Sequence, residues 1–458
     1  MSRLNRRQFL QLSAAAGACS LIPGCATVPR PRRISLNERL RHACIGVGGI
    51  GRNDLQHFRS HPRCQIVALC DVDSDNLEKA GALVPAARRY RDWRELLAQE
   101  GDRIDSVNIA VPDHMHAPIA LAAMRAAKHV YCQKPLCHDV AECRALASAA
   151  QVARVVTQLG TQHASGVGDR QAVQWLREGA VGKVHRVILC SNRPGAERQR
   201  LAGPRPAQSA PAPETLAWDL WLGTAPARPY APDIYHPMIW RSWLDFGTGW
   251  SGDIGCHIFD AVWKGLGLTA PVAVTAEVQA SWRQSPARRA DTWPQTNHIT
   301  WVFPGNERTA QRELIVEWFD GDKFPPEEAQ ALARADGFQV YPAEAALVLG
   351  DEGALLLPHT SGARLLPREK FAGRARTAFA PRSHYRYFLD CCISGELPES
   401  HFGQTGPMNE AILLGTVAAR VPGSTLRWDA ARLRIPNSPE AHRLLRRTYR
   451  AGWEVPWV

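Results

Sequence analysis

Two groups of residues combine side-chain types and spacings that could do chemistry. The first is Gly46-Val47-Gly48-Gly49-Ile50-Gly51, a GxGxxG turn, with Asp71 twenty residues beyond its last glycine. In such a turn the first glycine permits a tight bend and the second lets a pyrophosphate approach the backbone. The third lets the following helix close on its strand, and the start of that helix offers oriented N–H groups to an anion. A carboxylate at the position of Asp71 suits the adenosine ribose hydroxyls and repels a 2′-phosphate, so NAD is expected rather than NADP. The second group is Asp253 and His257, four residues apart. On a helix they share one face, with Cβ atoms about 5–6 Å apart. Spacing alone favours a helix pair without a reaction to perform.

The elements that would hold these residues alternate between strand and helix. Short apolar runs at 42–47, 64–69, 104–111 and 129–132 read as buried strands, and 119–127 as a helix between the last two. Alternation of this kind predicts a parallel sheet with ligands gathered at the carboxyl ends of its strands. Pro112 and His116, after the third strand, and Gln133 and Lys134, after the fourth, are therefore expected beside the cofactor. Later runs at 184–190, 272–279, 299–303, 314–319 and 345–349 read as strands bounded by turn residues. Residues 193–214, rich in Pro, Ala and Arg, read as an extended loop.

Composition narrows the class. The 458 residues are 45% hydrophobic and 22% charged, which excludes a disordered or fibrous chain. A net charge of +11 raises the question of nucleic acid, but the first 41 residues hold eight arginines against one acid, Glu38. Most of the excess thus lies in a leader, and no nucleic-acid partner is expected. That leader contains Asn5-Arg6-Arg7-Gln8-Phe9-Leu10 before a short Ala- and Leu-rich stretch. It reads as a twin-arginine (Tat) export signal, which carries folded proteins out of the cytoplasm, so a periplasmic or otherwise exported location is expected. Leu21-Ile22-Pro23-Gly24-Cys25 resembles a lipobox that would lipidate Cys25, and Gly24-Cys25-Ala26 equally suits a signal peptidase. The twelve cysteines contain no CxxC pair, and His114 and His116 have no neighbouring ligands to complete a site, so no metal is expected.

Taken together, the GVGGIG turn, Cys70-Asp71-Val72-Asp73, the Val111-Pro112 loop reaching His116, Gln133-Lys134-Pro135 and Asp253-Ile254-Gly255-Cys256-His257 resemble the Gfo/Idh/MocA family of sugar oxidoreductases. Trp218-Asp219-Leu220-Trp221-Leu222-Gly223, the stretch 240–249 and the tail 440–453 resemble its exported, sugar-linked branch. In one departure, Gln133 replaces the glutamate usual before the lysine. The resemblance implies an α/β chain with a leader and linker at 1–41, a Rossmann domain at 42–160 and a second α/β domain at 161–458. The second domain would carry an open, largely antiparallel sheet and contacts for a homo-oligomer.

The resemblance also gives the helix pair its chemistry. Lys134 would hydrogen-bond the reacting hydroxyl, His257 would accept its proton, and Asp253 would orient the substrate or tune the histidine. His163, Tyr235, Trp240 and Arg241 offer aromatic faces and hydrogen bonds to a pyranose. Free NAD is scarce outside the cytoplasm, so an exported enzyme is expected to retain NAD(H) and recycle it. The reading is an oxidoreductase for a sugar or glycoside hydroxyl. Two alternatives stand beside it: a glycosidase working by transient C3 oxidation and elimination, and a silent carbohydrate-binding homologue. Lys134, Asp253 and His257 occurring together argue against the last.

Overall fold

A computed structural model describes residues 29–35, 37–194 and 201–456. The twin-arginine pattern and Cys25 lie outside the described residues. The chain forms two sheets that share a helical interface.

The first sheet has six parallel strands in the order β3-β2-β1-β4-β5-β6. They are β1 (Leu40–Ile45), β2 (Cys64–Cys70), β3 (Arg88–Tyr90), β4 (Ser106–Ile109), β5 (His129–Cys132) and β6 (Thr157–Leu159). The order reverses direction between β1 and β4, and this is where open α/β sheets leave a crevice for a ligand. β1 ends two residues earlier than its apolar run suggests, because Gly46 turns to a φ of +80°. Helix α1 (Gly49–Arg59) follows that turn. Helices α2 (Ser74–Gly81) and α3 (Trp93–Glu100) start on aspartate caps, Asp73 and Asp92, each accepting an N–H of the first turn. Helices α4 (His116–Arg125) and α5 (Val140–Ala153) complete the layers, the latter opened by a reciprocal Asp139–Glu142 capping box.

The second sheet has eight strands in the order β13-β12-β11-β7-β10-β9-β8-β14. Its members are β7 (Val184–Ser191), β8 (Ala273–Val278), β9 (Asn297–Pro304), β10 (Glu313–Asp320), β11 (Glu344–Gly350), β12 (Gly353–Pro358), β13 (Arg364–Leu366) and β14 (Leu426–Arg427). Only β7 and β10 run parallel, so the sheet is largely antiparallel, as expected. Helices α6 (Val167–Arg177), α7 (Gly249–Leu266) and α9 (Phe402–Arg420) lie between this sheet and the first one. α7 approaches its neighbours through glycines: a Cβ on Gly255 would stand 3.1 Å from Ile412, and one on Gly265 would stand 2.7 Å from Leu176. This approach sets the helix carrying Asp253 and His257 against the carboxyl edge of the first sheet.

Helix α8 (His384–Ser394) returns to the first layer. Tyr385 stacks on His57 with ring centres 4.4 Å apart, and Phe388 joins Leu55 and Phe58 in one buried cluster. The core of the dinucleotide half is thus completed by residues more than 200 positions beyond its last strand.

Candidate active site

The carboxyl ends of the first sheet open into a groove of about 660 Å³. Gly46, Gly48, Gly49 and Ile50 line its floor, Asp71 and Arg91 one end, and Pro112, Gln133, Lys134, Trp240 and Arg241 the other. The glycines are required here. A Cβ on Gly46 would lie 2.2 Å from the Ala110 carbonyl oxygen, and one on Gly51 would lie 2.1 Å from that of Gly46. Gly49, at a φ of +44°, meets nothing within 4 Å and leaves the backbone open to the groove. The Asp71 carboxylate braces the turn, accepting the N–H groups of Val47 at 2.8 Å, Gly48 at 3.1 Å and Asp73 at 2.9 Å. A cradle with exposed amides, a ribose-side carboxylate and this volume fits a dinucleotide.

At the far end Lys134, just past β5, reaches α7. Its Nζ donates to Asp253 Oδ1 at 2.8 Å and to the Asp253 backbone oxygen at 3.2 Å. Arg241 Nε stands 3.6 Å from the other carboxylate oxygen. Burial opposes the charge on Asp253, but Lys134 and Arg241 outweigh it and hold the carboxyl below its ordinary range. His257 sits one turn along, where burial and the charge of Lys134 keep its imidazole neutral, well below its usual pKa. Its Nδ1 is buried without a hydrogen-bond partner. His359 and His163 pack beside it, ring centres 5.1 and 6.4 Å away. Among the described residues no group of three or more His, Cys, Asp or Glu is arranged to hold a metal ion.

Other expected residues are spent on contacts within the fold or lie away from the groove. His116 is buried, its ring wedged between the carbonyl oxygens of Pro135 at 2.6 Å and Val111 at 2.8 Å. It ties the loops after β4 and β5 together and does not line the groove. Tyr235 is 1% exposed, packed edge-on to Trp243 and Phe246. An aromatic body of that size gains more from such a cluster than from a wet pocket. His163 lines a neighbouring cavity with Asp169, Gln171 and Thr360. Gln133 lines the groove but directs its amide Nε2 to both oxygens of buried Asp54, at 3.0 and 2.8 Å. A glutamate at 133 would set two carboxylates face to face there, so the amide and Asp54 form a matched pair. Tyr385, hydrogen-bonded to Asn53 and Gln162, extends this network from α8.

Two site residues escaped the sequence reading. Asp113, 1% exposed, hydrogen-bonds Thr248 Oγ1 at 3.0 Å. Burial and the charge of Asp253 push its carboxyl up to about 8, so it is protonated at neutral pH. The single acid in the loop after β4 was the available signal. Trp453, from the tail, lines the groove and lies under Arg94 and Arg450, 4.1 and 5.4 Å from its ring centre.

With this geometry in view, comparison with known proteins is decisive for the family. Residues 40–161 match a family profile described as an oxidoreductase family with an NAD-binding Rossmann fold, and 171–303 match its C-terminal alpha/beta domain. The chain belongs to the Gfo/Idh/MocA oxidoreductase family. It is 38% identical over 144 residues to a glycosyl hydrolase family 109 protein of Stenotrophomonas maltophilia, covering 29% of this chain and 30% of that one. It is 33% identical over 145 residues to a D-apiose dehydrogenase of Paraburkholderia graminis, covering 32% and 38%. These alignments therefore span well under half of the relatives' own lengths. The fold resembles aldose-aldose oxidoreductase from Caulobacter crescentus, with a TM-score of 0.56 and 18% identity over 85% of this chain and all of that one. It also resembles the WlbA dehydrogenase from Bordetella pertussis in complex with NADH and UDP-GlcNAcA, with a TM-score of 0.58 and 17% identity over 86% and 99%.

Proposed function

We propose that this Gfo/Idh/MocA protein is an NAD(H)-dependent oxidoreductase acting on a hydroxyl of a sugar or glycoside. The observation that carries the reading is the Lys134–Asp253 contact at the far end of the dinucleotide groove. Bound in the groove, the nicotinamide supplies a hydride acceptor, and its reduced form a donor. Lys134 donates a hydrogen bond to the reacting oxygen and stabilises its negative charge as the O–H proton leaves. His257, neutral and with a nitrogen unspent on protein partners, takes that proton. Asp253 holds the lysine in place, and Arg241 and Trp240 present a guanidinium beside an indole face, 4.1 Å apart, to the sugar. NAD is preferred to NADP because a 2′-phosphate would meet Asp71.

The twin-arginine pattern and the Cys25 motif support export, with lipidation at Cys25 as one route of attachment. An exported enzyme must bring its nucleotide with it. Trp453, held over the groove by the tail, is suited to retaining it. A second reading, an NAD-dependent glycosidase with no net redox change, is favoured by likeness to the family 109 protein.

Purified protein incubated with simple sugars and aryl glycosides separates the two. Nicotinamide absorbance should change on sugar addition if the first reading holds. Aglycone release without net NADH would replace it with the second. In either case Lys134→Ala should lower turnover by about 10²–10³-fold while leaving nucleotide binding nearly unchanged. Full activity in that variant would refute the assignment.

A further inference from the structure

A second cavity, of about 320 Å³, opens beside the start of α5. Its lining includes His138 and Asp139 at the start of α5, Arg420 at the end of α9, and Arg443, Arg446 and Arg447 in the tail. Its charges do not cancel internally. Arg447 is committed to Glu142 at 2.7 Å and to the Thr224 hydroxyl at 2.8 Å. Asp139 accepts the Arg447 backbone N–H at 3.2 Å, and Asp245, also on the wall, pairs with Arg228. The acids of the lining are thus already occupied.

Arg420 and Arg443 form no hydrogen bond or ion pair with any described residue, although both face the cavity. Burial acts against the charge of Arg420, which feels Asp245 and Glu440 only at longer range and is opposed by Arg289. Beside them both ring nitrogens of His138 are buried, and the Leu244 backbone oxygen near one of them does not complete a well-formed hydrogen bond. Buried ring nitrogens without a good partner are costly, and an oxyanion here would serve both them and the half-buried, unpaired Arg420 guanidinium. Leu244, Leu413, Val417 and Leu444 give the wall an apolar part.

We propose that this cavity is a binding site for a small oxyanion, a phosphate or carboxylate group, held by Arg420, Arg443 and His138. The ligand is either a free inorganic anion or the anionic end of a compact organic molecule whose body meets the apolar part of the wall. The site is distinct from the groove, although Trp293 borders both this cavity and the pocket that contains Asp253 and Arg241.

Isothermal titration of the purified full chain with inorganic phosphate and with phenyl phosphate tests this directly. One saturable site per chain is expected, weakened about tenfold or more in Arg443→Gln and in Arg420→Gln, with NAD affinity unchanged. Arg443 is exposed, so its variant reports on the site even if Arg420→Gln folds poorly. Tighter binding of phenyl phosphate identifies an organic anion as the occupant, and equal binding identifies the free anion. No saturable binding of either probe, or binding undiminished in Arg443→Gln, would overturn the proposal.

Discussion

At the scale of single residues, the site is a set of carboxyl groups separated in charge by their neighbours. Asp253 stays ionised because Lys134 and Arg241 outweigh its burial, whereas Asp113, close by, is pushed up to about 8. Asp113 therefore remains neutral through most of the working range and ionises above it. A second negative charge beside Asp253 would draw Lys134 away from the reacting oxygen. We expect kcat/KM to fall as pH rises through about 8, and Asp113→Asn, which cannot ionise, to lose that limb. An unchanged alkaline limb in the variant would exclude Asp113 as its source. The roles of the glycines and Asp71 were legible because a tight turn admits few residue types. Asp113 and Asp54 were not, because a carboxylate's burial and its partner across the fold leave no mark on local spacing. Gln133 shows the difference: the sequence exposes a missing glutamate, and only the fold reveals the Asp54 that an amide can face.

Among the elements, α7 and the tail decide whether the site exists. Nine of the fourteen strands were legible from their apolar runs, and β5 has the expected bounds. β3, β6, β13 and β14, of two or three residues, lacked enough periodicity to stand out, and the apolar run of β12 was not read as a strand. Nor could local pattern disclose that α8 completes the core of the first sheet. The tail ties back to the dinucleotide half through Arg447 to Glu142 at 2.7 Å, and Arg450 fastens it to Asp219 of the second domain at 2.6 Å. These contacts place Trp453 on the groove at 8% exposure. Trp453→Ala should release nucleotide at least about tenfold faster, since losing a buried aromatic contact costs well over 1.4 kcal/mol. Stopped-flow displacement of the bound nucleotide measures this, and an unchanged off-rate would remove the tail from cofactor retention.

For the whole molecule, burial of ionisable groups predicts how stability follows pH. Burial raises the carboxyls of Asp54 and Asp139 to about 7, and those of Asp113 and Asp169 to about 8. An acid raised on folding keeps its proton after the unfolded chain has ionised. Its contribution is whole below about pH 4 and is lost as pH rises through the folded value. Burial lowers His116, His129 and His359 to about 4, and a lowered histidine contributes fully above about pH 6.5 and loses that as pH falls. The two sets oppose each other between about pH 4 and 6.5, and only the acids change above it. Tm should therefore fall by a few degrees between about pH 6.5 and 8.5, and Asp169→Asn should flatten the fall. A Tm that rises over this interval would contradict the assignment.

The glycine turn, Asp71 and the strap of Trp453 are expected to hold a nicotinamide dinucleotide against Lys134. Mass spectrometry of the nucleotide released on denaturing the purified protein tests this most directly. NAD(H) is expected at close to one per chain, without NADP(H). Protein that carries no dinucleotide and shows no saturable binding of added NAD or NADH would contradict it.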